Sequence, residues 1–131
     1  MVTYLAGTDG VRTSTRLGEY LDDEVAEGDT VHALYALGAN PSQEDIDRGE
    51  EALAVFTDRF GREAAVELHH PIRSTPPSRE LLITANEVDA DKIVVGLRQH
   101  GVTERIVFGS TAQEVLKNTT RPVVAVPLAT G

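Results

Sequence analysis

Lys92-Ile93-Val94-Val95-Gly96 is the stretch that decides the fold. Three consecutive β-branched residues leave no polar position on either side of a strand. Such a run is covered on both faces, as strands of a parallel sheet beneath helices are. Asp91 precedes it and Gly96 follows, which frames a short strand. Toward the N-terminus, three further runs have strand character: Val2 to Ala6, Thr30 to Leu37, and Ala64 to His70, which Pro71 ends. Toward the C-terminus, Arg121-Pro122 leads into Val123-Val124-Ala125-Val126.

Between these runs the spacing turns helical. Leu17, Tyr20, Leu21 and Val25 recur at helical intervals before Gly28-Asp29 breaks the pattern. A longer helix is expected from about Ser42 to Phe60, whose second half carries Ala52, Leu53, Val55, Phe56 and Phe60 as a stripe that can face a sheet. Ser74-Thr75-Pro76-Pro77 opens a third helix, where proline is tolerated in the first turn, and Leu81, Leu82, Ala85 and Val88 form its stripe. A fourth begins at Gly109-Ser110 and carries Ala112, Val115 and Leu116. The order βαβαβαβαβ defines an α/β fold: an open five-stranded parallel sheet, strand order 3-2-1-4-5, with helices on both faces, Rossmann-like. All 131 residues are expected to form one domain.

Composition narrows the chemistry. There is no cysteine, which excludes disulfides, thiolate metal sites and cysteine nucleophiles. No run of about 18 apolar residues exists to span a membrane, and the first residues lack the pattern of a secretion signal. The formal net charge is −9, from 21 acidic and 12 basic side chains, and Lys92 and Lys117 are the only lysines. No basic cluster interleaves with aromatics, so nucleic acid is not an expected partner. An acidic, lysine-poor surface suits a salt-rich cytoplasm, where ions screen self-repulsion.

In such a fold, ligands bind outside the C-terminal ends of the strands. Asp9, Gly96 and Gly109-Ser110 all fall there. Ser110 and Gln113 match a capping box, and a helix N-terminus there favours an anion. Gly109 leaves room beside the backbone, while Ser110 and Thr111 add hydroxyl donors. Gly96 either ends its strand or permits close approach of a ligand. The Asp9 carboxylate can accept from ribose hydroxyls, brace its turn or cap the next helix.

Together, Thr8-Asp9-Gly10, Ala90-Asp91-Lys92-Ile93-Val94-Val95-Gly96, Phe108-Gly109-Ser110-Thr111-Ala112 and Arg121-Pro122-Val123-Val124-Ala125-Val126-Pro127 resemble the universal stress protein (UspA-like) family over nearly the whole chain. The abundance of acid over lysine resembles a haloarchaeal member. ATP-binding members share Gly, two residues, Gly, nine residues, then Gly-Ser or Gly-Thr. Gly96, Gly109 and Ser110 fit this pattern, but Gln99 stands where the second glycine belongs. The resemblance implies phosphate contacts at Gly96, Gly109 and Ser110, and a ribose contact at Asp9. The phosphate role of the second glycine does not pass to Gln99, whose side chain can either fill phosphate space or donate an amide hydrogen bond. Arg98 and His100 can supply positive charge beside it.

The implied function is a cytoplasmic stress-response protein that binds ATP, AMP or another adenine nucleotide, with Mg²⁺ a possible companion. It would act as a dimeric sensor or chaperone-like regulator. The homodimer would form through the last strand, Val123, Val124, Ala125 and Val126. No general base is evident, so at most slow ATP hydrolysis is expected. The alternative is a structural or interaction dimer, with an unknown protein partner, that has lost triphosphate binding. An open cleft beside Gly96 and Gly109 favours nucleotide; a Gln99 or Arg98 side chain packed across it favours interaction alone. Metal binding is not expected: His69 and His70 are neighbours on a strand and point to opposite faces, and joining either to His32 requires the tertiary fold to bring them together.

Overall fold

The computed structural model describes residues 1–98 and 109–128. Five strands and four helices alternate: β1 (Thr3–Gly7), α1 (Val11–Asp22), β2 (Thr30–Leu34), α2 (Gln43–Phe60), β3 (Ala65–His69), α3 (Pro77–Val88), β4 (Lys92–Leu97), α4 (Ser110–Asn118) and β5 (Val123–Pro127). All pairings are parallel, in the order β3-β2-β1-β4-β5. The expected fold is the observed one. Among the described residues, no helix is long and apolar enough to cross a membrane.

The central strands are apolar because both of their faces are covered. Tyr4 and Ala6 of β1, Val31 and Ala33 of β2, and Val94 of β4 point toward α1 and α2, where they meet Leu17, Leu21, Leu53, Phe56 and Phe60. Leu5, Leu34, Ile93, Val95 and Leu97 point the other way, against Leu81 and Ala85 of α3 and Ala112 and Val115 of α4. Leu5 lies opposite both His32 and Ile93, so β1 is the middle of the sheet.

Local sequence sets the element ends. Ser42 caps α2: its side chain accepts from the Asp45 backbone, and the Asp45 side chain accepts from the Ser42 backbone. This is a complete capping box. Pro77 occupies the first turn of α3, where its missing N–H costs nothing. Gly28, at φ +92°, takes a left-handed conformation that side chains disfavour. Asp29 does more than interrupt a helix. Its buried carboxylate accepts from the Val2 and Ala26 backbone N–H groups at 2.8 and 2.9 Å, and this holds its pKa below the ordinary aspartate value. It thereby pins the start of β1 to the turn after α1.

Four sequence expectations are corrected. β2 ends at Leu34 rather than Leu37, although Tyr35 and Leu37 still donate backbone hydrogen bonds to His69 and Pro71. β3 is mostly exposed because it is an edge strand; Leu68 is 42% exposed although it shares the face of Val66, which packs against the core. Gly96 does not end β4, which continues to Leu97, and Gly96 pairs with Val126. Leu116 is 43% exposed while Val115 is fully buried, since adjacent helix positions differ by about 100° and only one can face the sheet.

Candidate functional site

The strand order reverses direction between β1 and β4. There the connections diverge and leave a crevice beyond the strand ends. Its first lip is the turn after β1. Thr8 continues the ladder by donating its N–H to the Leu34 carbonyl at 3.0 Å. The Thr8 hydroxyl then shares a 2.6 Å hydrogen bond with that of buried Ser14 and donates to the Gly10 carbonyl at 2.9 Å. These bonds fix the turn that presents Asp9.

Asp9 is half exposed and has two partners. The Thr13 hydroxyl, one helical turn on, donates to Oδ1 at 2.5 Å, and the Arg98 guanidinium donates to Oδ2. Burial pushes the Asp9 carboxyl up. The bonds from Thr13 and Arg98, with the adjacent Arg98 charge, outweigh this and hold the pKa below the ordinary value. Asp9 is therefore an anion at neutral pH.

The opposite lip is the start of α4. Gly109, not Ser110, is the N-cap, at φ −64° and ψ 161°, and as a glycine it has no side chain with which to cap the helix. Ser110 is thus the first helical residue, and Gln113 lies one position beyond the reach of a capping box. The first intrahelical bond runs from the Gln113 N–H to the Gly109 carbonyl at 3.0 Å. The N–H groups of Ser110, Thr111 and Ala112 precede it and form the positive end of the helix. A Cβ built on Gly109 would meet none of the described residues within 4 Å. The backbone there suits any residue, so the glycine serves open space rather than conformation.

Between the lips is a cavity of about 420 Å³, of the size that holds small-molecule ligands. It brings together Asp9, Gly96, Arg98, Gly109, Ser110 and Thr111. Gln99 and His100 lie outside the described residues. Arg98 reaches across the edge of the cavity to Asp9. Gly96 faces Leu128: a Cβ there would lie 3.0 Å from Leu128 Cδ2. Sequence reasoning missed Thr13 and the apolar wall of Leu34, Ala36, Pro77, Leu81 and Leu128. Only Thr13 carried a signal, four residues after Asp9 with a helix beginning between them.

Outside the cavity, the β2–β3 pairing brings His32 to His69. His32 Nδ1 lies 2.9 Å from His69 Nε2, and His32 Nε2 lies 3.5 Å from Glu67. Among the described residues, no group of three or more His, Cys, Asp or Glu side chains is placed to hold a metal ion. His32 is 5% exposed. Burial, then the facing His69, push its pKa below 6.5, against a smaller upward pull from Glu67. Because the unfolded chain binds this proton more readily, stability should be level above the unfolded value and fall as pH drops below it. Urea midpoints between pH 7.5 and 5 should decline, and His32→Asn should flatten that decline. The depressed carboxylates of Asp9 and Asp29 act only below about pH 4. An equal slope in both proteins would show that His32 is not the responsible group.

A parallel sheet with a cleft at its switch point, a carboxylate on one lip and a helix N-terminus on the other is the arrangement of a doubly wound α/β domain, a class whose ligands bind at that point. The chain belongs to the universal stress protein family, whose model matches residues 3–127. It is 30% identical to universal stress protein MJ0531 of Methanocaldococcus jannaschii, over 91% of this chain and 78% of that protein. A universal stress protein structure from Archaeoglobus fulgidus superimposes with a TM-score of 0.78 at 26% identity, covering 96% of this chain and 98% of the other. The Archaeoglobus fulgidus universal stress protein in complex with dAMP has a TM-score of 0.72 at 25% identity, covering 96% and 97%.

Proposed function

We propose that this chain binds an adenine nucleotide, ATP or AMP, in the cavity between Asp9 and Gly109, and acts as a dimeric stress sensor or chaperone-like regulator. The observation that carries the reading is the start of α4 on the cavity wall: backbone N–H groups ahead of the first intrahelical bond, hydroxyls from Ser110 and Thr111, and no side chain at Gly109. A helix N-terminus of this kind favours phosphate. The apolar wall of Leu34, Ala36, Pro77 and Leu81 offers a surface for a purine, and Asp9 an acceptor for ribose hydroxyls. The dAMP complex of a relative with the same fold supports the ligand class.

Among the described strands β5 lies at a sheet edge, with β4 as its neighbour. Exposed edges invite pairing, so we assign the dimer contact to Val123, Val124, Ala125 and Val126. The reading makes the chain a binder rather than a catalyst, acting in a salt-rich cytoplasm.

Calorimetric titration of ATP, ADP and AMP, with and without Mg²⁺, at moderate and multimolar KCl tests it. Micromolar binding of at least one nucleotide is the expected result. Protein shown to be folded and ligand-free that gives no heat with any of them would overturn it, leaving a structural or interaction dimer as the function.

A further inference from the structure

We infer that Arg98 is an exchangeable latch that makes binding in this cavity depend on a phosphate group. The inference rests on the nucleotide reading above and adds a specificity determinant to it.

Arg98 leaves the end of β4 and Asp9 leaves the end of β1, and both line the cavity. Their ion pair therefore spans the switch point itself. The bond is made between side chains that are 61% and 53% exposed, so neither is locked by packing. Among the described residues lining the cavity, Arg98 is the sole cation and Asp9 the sole anion. A ligand with its ribose on Asp9 and its phosphate at Gly109 and Ser110 has to lie between these lips, where the guanidinium now sits.

The two halves of such a ligand act on the latch in opposite ways. The ribose competes with Arg98 for the Asp9 carboxylate. The phosphate offers the displaced guanidinium a new anion, and arginine's planar fork suits phosphate oxygens bidentately. A 5′-phosphorylated ligand exchanges one ion pair for another. A nucleoside must break the Asp9–Arg98 pair and supplies no replacement. Discrimination arises because the uncharged competitor leaves a charge without its partner. The oxygen of Asp9 bonded to Thr13 stays held throughout, which keeps the carboxylate aimed while Arg98 moves.

The inference separates the effects of one substitution by sign. In titrations of the full chain with adenosine and AMP, Arg98→Ala should strengthen adenosine binding by about threefold or more and weaken AMP binding by about tenfold. Arg98→Gln, which retains bulk without charge, should give the same pattern. Adenosine affinity that is unchanged or reduced in both variants overturns the latch even while AMP still binds the parent protein. Equal AMP affinity in all three proteins overturns it as well. If the folded parent protein binds neither AMP nor ATP, the nucleotide reading itself fails and the latch falls with it.

Discussion

Gly109→Val should lower nucleotide affinity by about thirtyfold or more, a loss of about 2 kcal/mol, while the domain stays folded. Gly109 has backbone angles that valine adopts readily, and none of the described residues crowds the position of its Cβ. The cost to the fold is therefore confined to a poorer N-cap, less than about 1 kcal/mol. The added side chain would project where α4 presents its first N–H groups, and a phosphate could no longer reach them. Calorimetry alongside a thermal melt separates the two effects. Gly10→Ala is the control, since Gly10 also has open space around it but does not line the cavity. Undiminished affinity in Gly109→Val would remove the start of α4 from the binding site.

Phe56→Ala should have the largest effect on stability, about 3–5 kcal/mol. Phe56 is fully buried where α2 packs on the sheet beside α1, amid Leu17, Leu21 and Phe60. Rigid neighbours on two sides limit collapse into the vacated space. That is a large share of the total stability of about 5–15 kcal/mol typical of a domain. Leu116→Ala removes a comparable apolar group from a surface position and should cost no more than about 0.5 kcal/mol. Urea unfolding of both variants measures the contrast. A Leu116→Ala cost approaching that of Phe56→Ala would mean that Leu116 is covered in solution, by a second copy or by the remaining chain.

The central fold was legible because burial on two faces leaves a local record. Ile93-Val94-Val95 and Tyr4-Leu5-Ala6 have no polar positions, and parallel pairing follows from that together with the intervening helices. Less was legible at the edges. β3 has apolar residues at Val66 and Leu68, yet only Val66 packs toward the core. Both point to the same side, and the sequence does not reveal how far along the edge the covering helix reaches. The start of α4 was misread by one residue, since Ser110 fits a cap as well as Gly109 does until the backbone angles decide.

The polar half of the candidate site was visible as Asp9, Gly96, Gly109, Ser110 and Thr111, because short turns at strand ends keep their chemistry local. The apolar half was not. Leu34, Pro77, Leu81 and Leu128 come from three separate segments, β2, α3 and the residue after β5, and become a wall only through the sheet order. His32 and His69 are 37 positions apart and meet only through the β2–β3 pairing. The Asp9–Arg98 bond joins residues 89 apart in the same way.

The dispersed construction of the cavity has a thermodynamic corollary. Its lining runs from Gly7 to Leu128 and draws on three strands and three helices. Detaching any one of them dismantles the cleft. A ligand seated there has no partial site left to hold once the chain opens, so its free energy adds to that of the whole described fold. At a hundred times its dissociation constant the gain is about 2.7 kcal/mol. The melting temperature would then follow the concentration of the small molecule around it, which couples the protein's survival under heat or osmotic stress to the metabolic state of the cell.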